Sequence, residues 1–66
     1  MRLIVNGETY ETMKADTIQG LLDELGISSI KVAVEVNLNI IKKADYSNYN
    51  LKEGDRIEIV NFVGGG

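Results

Sequence analysis

The sequence predicts a small α+β domain in which one helix packs on one sheet, with the element order β-β-α-β-β-β. Three observations predict it. Asn6-Gly7 is a strong hairpin signal, Ile18 to Leu25 carries an apolar stripe at helical spacing, and the segments that follow alternate apolar with polar residues. At 66 residues the chain makes one domain, and a domain of this size buries only about 60% of the surface its unfolded chain exposes. There is room for one small core.

The first strand is "RLIVN", where Leu3 and Val5 share one face and Arg2, Ile4 and Asn6 the other. Asn6 and Gly7 both accept positive φ, so the chain turns there and "ETYET" returns as the second strand. Ile18, Leu21, Leu22 and Leu25 then fall at i, i+3, i+4 and i+7 and form one helical stripe. Asp16 or Thr17 can cap the start of this helix and Gly26 can end it. Gly20 is a weak point inside it, costing up to about 1 kcal/mol against Ala, and is expected to mark a close approach to the sheet. "IKVAVEV" places Val32, Val34 and Val36 on one face of a third strand, and "NLN" turns the chain into a short fourth strand at Ile40 and Ile41. The stretch "KADYSNYNLKEGD" is polar and irregular, with Tyr46, Tyr49 and Leu51 available to anchor it. Glu53-Gly54-Asp55 turns into "RIEIVNFV", where Ile57 and Ile59 alternate with Glu58, Val60 and Phe62. The expected core is Leu3, Val5, Ile18, Leu21, Leu22, Leu25, Val32, Val34, Ile57 and Ile59. No repeat, linker or second domain interrupts the chain.

Composition removes much chemistry. Zero cysteines exclude a disulfide framework, a thiolate nucleophile and a cysteine metal site, and zero histidines remove the commonest neutral-pH base. Ten acidic against seven basic residues give a net charge of −3, with no basic face to neutralise nucleic-acid phosphates. No apolar run approaches the roughly 20 residues of a membrane span, and "MRLIVNGE" lacks the apolar stretch of a signal peptide. The expectations are therefore no nucleic acid, no membrane and a cytoplasmic location. Asp16, Asp23 and Glu24 lack the loop-borne oxygen density of a cation site; Asp16 reads as a cap and the others as solvated, so no metal and no catalytic residue is expected.

The chain closes on "FVGGG", with Gly64, Gly65 and Gly66 directly after an apolar strand and no Ser, Pro or Lys spacer. By itself a glycine-rich end is a weak signal. A hairpin, one helix and a last strand that runs into a glycine tail resembles the β-grasp, or ubiquitin-like, fold, a mixed sheet of four to five strands packed on one helix. Within that fold, "MRLIVNGE", "VAVEVN", "LKEGDRIEIV" and "FVGGG" resemble the ThiS family of thiamin-biosynthesis sulfur carriers over nearly the whole chain. The turn "NLN" departs from the Asn-Gly usual in the family.

The resemblance implies a protein substrate and group carrier, not an enzyme. An adenylating enzyme uses ATP to activate the terminal carboxylate, a sulfur-donor system converts it to a thiocarboxylate, and thiazole synthase accepts the sulfur. It assigns the modified residue as Gly66, with Gly64 and Gly65 as tail, a domain over 1–63 and a flexible glycine tail over 64–66. No cofactor is expected on the chain itself, ATP being used by the partner. Three glycines add reach of about 10 Å without a Cβ to meet a channel wall. The outward row Ile4, Val60 and Phe62 is expected to form one exposed apolar docking patch beside this tail. Other readings are the small subunit of molybdopterin synthase, a carrier for tRNA thiolation, and a passive ubiquitin-like interaction module.

Overall fold

Asn6 and Gly7 sit at φ 49° and 83°, and this two-residue turn joins β1 (Arg2–Val5) to β2 (Glu8–Glu11) as an antiparallel hairpin. The computed structural model describes residues 1–62. The remaining elements are α1 (Ile18–Leu25), β3 (Val32–Val36), β4 (Asn39–Ile41) and β5 (Arg56–Asn61), with short 3₁₀ turns at Ser29–Lys31 and Lys43–Asp45. The five strands form one mixed sheet in the order β2-β1-β5-β3-β4, in which β5 is central and runs parallel to β1 and antiparallel to β3. The expected domain boundary after residue 63 and the glycine tail 64–66 lie outside the described residues.

Eight residues are too few for a helix to stand alone in water, so α1 depends on its ends and on its packing. Its first four amide groups all find acceptors. Ile18 N–H donates to Tyr49 O (3.2 Å), Gln19 N–H to Tyr46 O (3.0 Å), Gly20 N–H to Thr17 Oγ1 (3.1 Å) and Leu21 N–H to Thr17 O (2.9 Å). Thr17 is thus the side-chain cap, and Asp16 is not: its carbonyl accepts from Leu51 N–H (2.8 Å). At the other end Gly26 takes φ 72°, its N–H bonds Asp23 O and Ile27 N–H bonds Leu22 O, which stops the helix as expected. The close approach at Gly20 is to the residues entering the helix rather than to the sheet. A Cβ there would lie 3.3 Å from Thr17 Oγ1 and 3.6 Å from Ala15.

The buried core comprises Leu3, Ile18, Leu21, Leu22, Val32, Val34, Val36, Tyr46, Leu51 and Ile57. Val5, Leu25 and Ile59 are only partly buried against it. Val36, Tyr46 and Leu51 complete the core because the irregular segment after β4 folds across the start of α1. There its carbonyls cap the helix while two of its apolar side chains seal the space beneath. The β3–β4 turn is a two-residue loop, Asn37-Leu38, between the paired residues Val36 and Asn39. Both loop residues have positive φ (51° and 74°), so Leu38 occupies a backbone slot that glycine or asparagine fills more easily.

Candidate functional site

β5 is the strand that leads toward the glycine end, and both of its flanks are held by side chains as well as by strands. On the β1 side the strand pairing covers only Ile4 with Arg56 and Val5 with Ile57. Asn6 extends it: its Oδ1 accepts from Ile59 N–H (2.7 Å) and its Nδ2 donates to Ile59 O (3.2 Å). On the β3 side pairing continues from Ile57 to Asn61, and Phe62 N–H donates to Lys31 O (2.8 Å). Lys43 closes the corner. Its Nζ donates to Val32 O (2.6 Å) and stands 5.0 Å from the Phe62 ring centre and 5.9 Å from that of Tyr46.

Val60 and Phe62 are exposed, at 55% and 54%. Ile4 does not join them. It is half-buried and its neighbour on β5 is Arg56, whereas Val60 stands beside Ala33 of β3. Four residues of strand, about 13 Å, separate the two rungs. The expected single row is therefore two patches on one face, because the parallel β1–β5 register brings Ile4 level with the beginning of β5. The residues that do extend the surface are Leu38 and Ile40 on the β3–β4 hairpin, exposed at 86% and 76%. Register could have found Ile40: once "NLN" is a two-residue turn, Ile40 falls opposite Glu35 on the outward face. Gly64, Gly65 and Gly66 lie outside the described residues.

Glu24 corrects the expectation of a solvated carboxylate. Its Oε2 accepts from Tyr10 Oη and Met13 N–H (3.1 Å), and its Oε1 from Thr12 Oγ1 (2.8 Å) and Lys14 N–H (3.3 Å). Four donors fill the acceptor sites of one carboxylate. The Tyr10 hydrogen bond, followed by those from Met13, Thr12 and Lys14, holds its pKa down at about 2 against the opposing effect of burial. Accepting that bond, together with burial and the Glu24 charge, raises the pKa of Tyr10. Glu24 thus ties β2 and the chain entering α1 to the helix. A shallow cleft of about 350 Å³ beside it is lined by Met13, Lys14, Ala15, Gly20, Asp23 and Glu24. Among the described residues no group of three or more Asp or Glu converges as a metal site, and no helix is long and apolar enough to cross a membrane.

The ThiS family model matches residues 3–66. The chain belongs to the ThiS family. It is 43% identical over 65 residues to the sulfur carrier protein ThiS of Bacillus subtilis, covering 97% of this chain and 98% of that protein. It is 47% identical over its whole length to a thiazole synthase of Paramagnetospirillum magneticum, and 41% to one of Magnetococcus marinus. The chain spans 20% of the length of each of those two relatives. The crystal structure of the thiamine biosynthesis protein ThiS from Geobacter metallireducens superposes with a TM-score of 0.84 at 30% identity, covering all of both chains. The β-grasp architecture expected from the sequence, one helix on a mixed five-stranded sheet, is the architecture of this ThiS-family chain.

Proposed function

We propose that the chain is a sulfur carrier of thiamin biosynthesis, a protein substrate whose Gly66 carboxylate carries the sulfur. The observation that supports this best is the near-complete alignment with a sulfur carrier ThiS on a domain whose central strand leads directly toward "FVGGG".

A carboxylate is a poor electrophile because its charge is spread over two oxygens, so sulfur cannot displace an oxygen until a leaving group is attached. In the proposed reaction the Gly66 carboxylate attacks the α-phosphorus of ATP on an adenylating enzyme and pyrophosphate leaves. Sulfide delivered by a sulfur-donor system then attacks the acyl carbon and AMP leaves, giving the thiocarboxylate. Thiazole synthase takes the sulfur from it. The chain supplies no catalytic group to these steps; it presents the reacting carbon, as small carriers present activated groups. Gly64 and Gly65 give reach and clearance, and Val60 and Phe62 form the docking surface nearest the arm, with Ile4 in a separate patch. ATP belongs to the partner enzyme, no cofactor resides on the carrier, and ATP-dependent activation fits a cytoplasmic location.

Incubation with ATP, the adenylating enzyme and a sulfide source, followed by intact-mass measurement, tests the proposal. The expected result is a shift equal to one oxygen replaced by one sulfur, located to the C-terminal peptide and lost when thiazole synthase and its other substrates are added. An unchanged mass would sink it.

A further inference from the structure

Helix α1 and the segment after β4 cover one face of the sheet. The other face carries only exposed or half-buried side chains among the described residues, and it breaks two rules of sheet construction within one hairpin. The first lies at its centre. Glu35 of β3 stands directly opposite Glu58 of β5, in a register where α-carbons are about 5.5 Å apart. Like charges so placed oppose folding. The two ion pairs among the described residues join Met1 and Arg2 to Glu11, so neither Glu35 nor Glu58 is neutralised by one. The second lies at the hairpin tip, where Leu38 has φ 74° in a slot that disfavours a branched side chain and directs an 86% exposed group into water. Between the two is Ile40, paired with Glu35 and 76% exposed; Val60 lies two residues beyond Glu58 on the same face.

Each break weakens the free domain, and each becomes favourable against one kind of surface. Two carboxylates facing each other across a rung match the two edges of a guanidinium, which is planar and donates on both sides. Apolar groups around that cation would cover Ile40, Leu38 and Val60 and exclude water from the charge pair, where it is worth more. We propose that the outer sheet face docks the adenylating enzyme through an apolar patch centred on one arginine, which inserts between Glu35 and Glu58. This rests on the carrier reading above, and it adds the chemistry that the partner must present. The net charge of −3 favours the encounter with such a surface.

Removing the pair and relieving the tip should make the domain more stable and a poorer ligand at the same time, a combination that a purely structural role does not produce. The variants are Glu35→Gln with Glu58→Gln, and separately Leu38→Gly. A charge-matched control is Asp23→Asn with Asp45→Asn, away from this face. Binding to the adenylating enzyme is measured by titration calorimetry at low and high salt, and unfolding by thermal melts. The double glutamine variant should melt no lower than the parent, bind about tenfold more weakly at low salt and lose most of the parent's salt dependence. Leu38→Gly should melt higher and bind several-fold more weakly. Equal affinity of parent and double glutamine variant, an equal loss in the control, or a loss of affinity confined to thiazole synthase would overturn the proposal. The intact-mass experiment separates the two readings: no conversion of the parent removes the carrier reading itself, whereas conversion with unaltered variant binding removes only this one.

Discussion

Replacing Asn6 tests how the structure holds the base of the carrier strand. Asn6 does two things at once: it adopts φ 49° in the hairpin turn, and its amide bonds both backbone groups of Ile59. Glycine keeps the first and loses the second, and alanine loses both. A side-chain hydrogen bond contributes about 0.5–1.5 kcal/mol net. Both bonds are solvent-exposed and one is 3.2 Å long, so the lower half of that range applies, which makes Asn6→Gly about 1 kcal/mol destabilising. Alanine adds the cost of a left-handed backbone, about 1–2 kcal/mol, for a total of about 2–3 kcal/mol. For a domain of this size each kcal/mol lowers the melting temperature by roughly 4–8 °C.

Urea unfolding of the three proteins gives the energies, and amide hydrogen exchange locates them. Protection of the Ile59 amide should drop in Asn6→Gly, while Ile57, whose neighbour on β1 is the strand residue Val5, stays protected to the level of global unfolding. Unaltered Ile59 exchange in the glycine variant would refute the role of the amide. Equal stability of the glycine and alanine variants would refute the role of the turn.

Glu24→Gln should remove the acid limb of stability. With its folded pKa held at about 2 against an ordinary 4.5, the Glu24 contribution is fully present above about pH 4.5 and is lost as pH falls toward 2. Urea midpoints at pH 7, 4 and 2.5 should converge for the two proteins at the acid end, and parallel profiles would count against the assignment. Phe62→Ala should leave the melting temperature nearly unchanged, because the ring is 54% exposed, while weakening binding to the adenylating enzyme by more than about 1 kcal/mol; calorimetry and a melt on the same sample decide. Deleting Gly66 should preserve folding and binding but shorten the arm by about 3.5 Å, enough to lose near-attack alignment, so pyrophosphate release at saturating carrier should fall by about a hundredfold or more.

The local code of this fold was legible and its nonlocal register was not. Asn6-Gly7, the stripe from Ile18 to Leu25 and the alternation of β3 and β5 each depend on residues near in sequence, so periodicity and turn chemistry suffice to place them. Facing was legible too, since parity puts Ile4 and Val60 on the same side of the sheet. Their separation was not, because it depends on the parallel pairing of Ile4 with Arg56, across 52 residues, for which no local signal exists. Glu24 hides for a related reason. Its four donors come from Tyr10 to Lys14, a segment that only the packed hairpin brings alongside the helix. The cap at Thr17 rather than Asp16 is a one-residue question that depends on how Leu51 docks against the Asp16 carbonyl.

The order of β5 decreases in steps toward the glycine end. Odd-numbered residues of β5 direct their backbone groups toward β1, as the bonds from Ile4 N–H to Asp55 O and from Asn6 N–H to Ile57 O show. Strand pairing on that side stops at Ile57, the Asn6 side chain reaches as far as Ile59, and by the same alternation Asn61 faces that side with no backbone partner among the described residues. On the β3 side pairing continues to Asn61 and one further bond holds Phe62. β5 thus passes from a strand held on both sides, to one held by a strand and a side chain, to one held on a single side. This gradient meets two opposed demands on a carrier. Reaction requires the reacting carbon to be placed within a fraction of an ångström of its target, which calls for a base fixed relative to the docking face. Service to more than one enzyme requires backbone that can enter a narrow channel, and each backbone residue fixed there costs about 1–2 kcal/mol. Extending the ordered base to Phe62 keeps that cost to the last four positions. It also puts the exposed Val60 and Phe62 where contact with an enzyme can offset it.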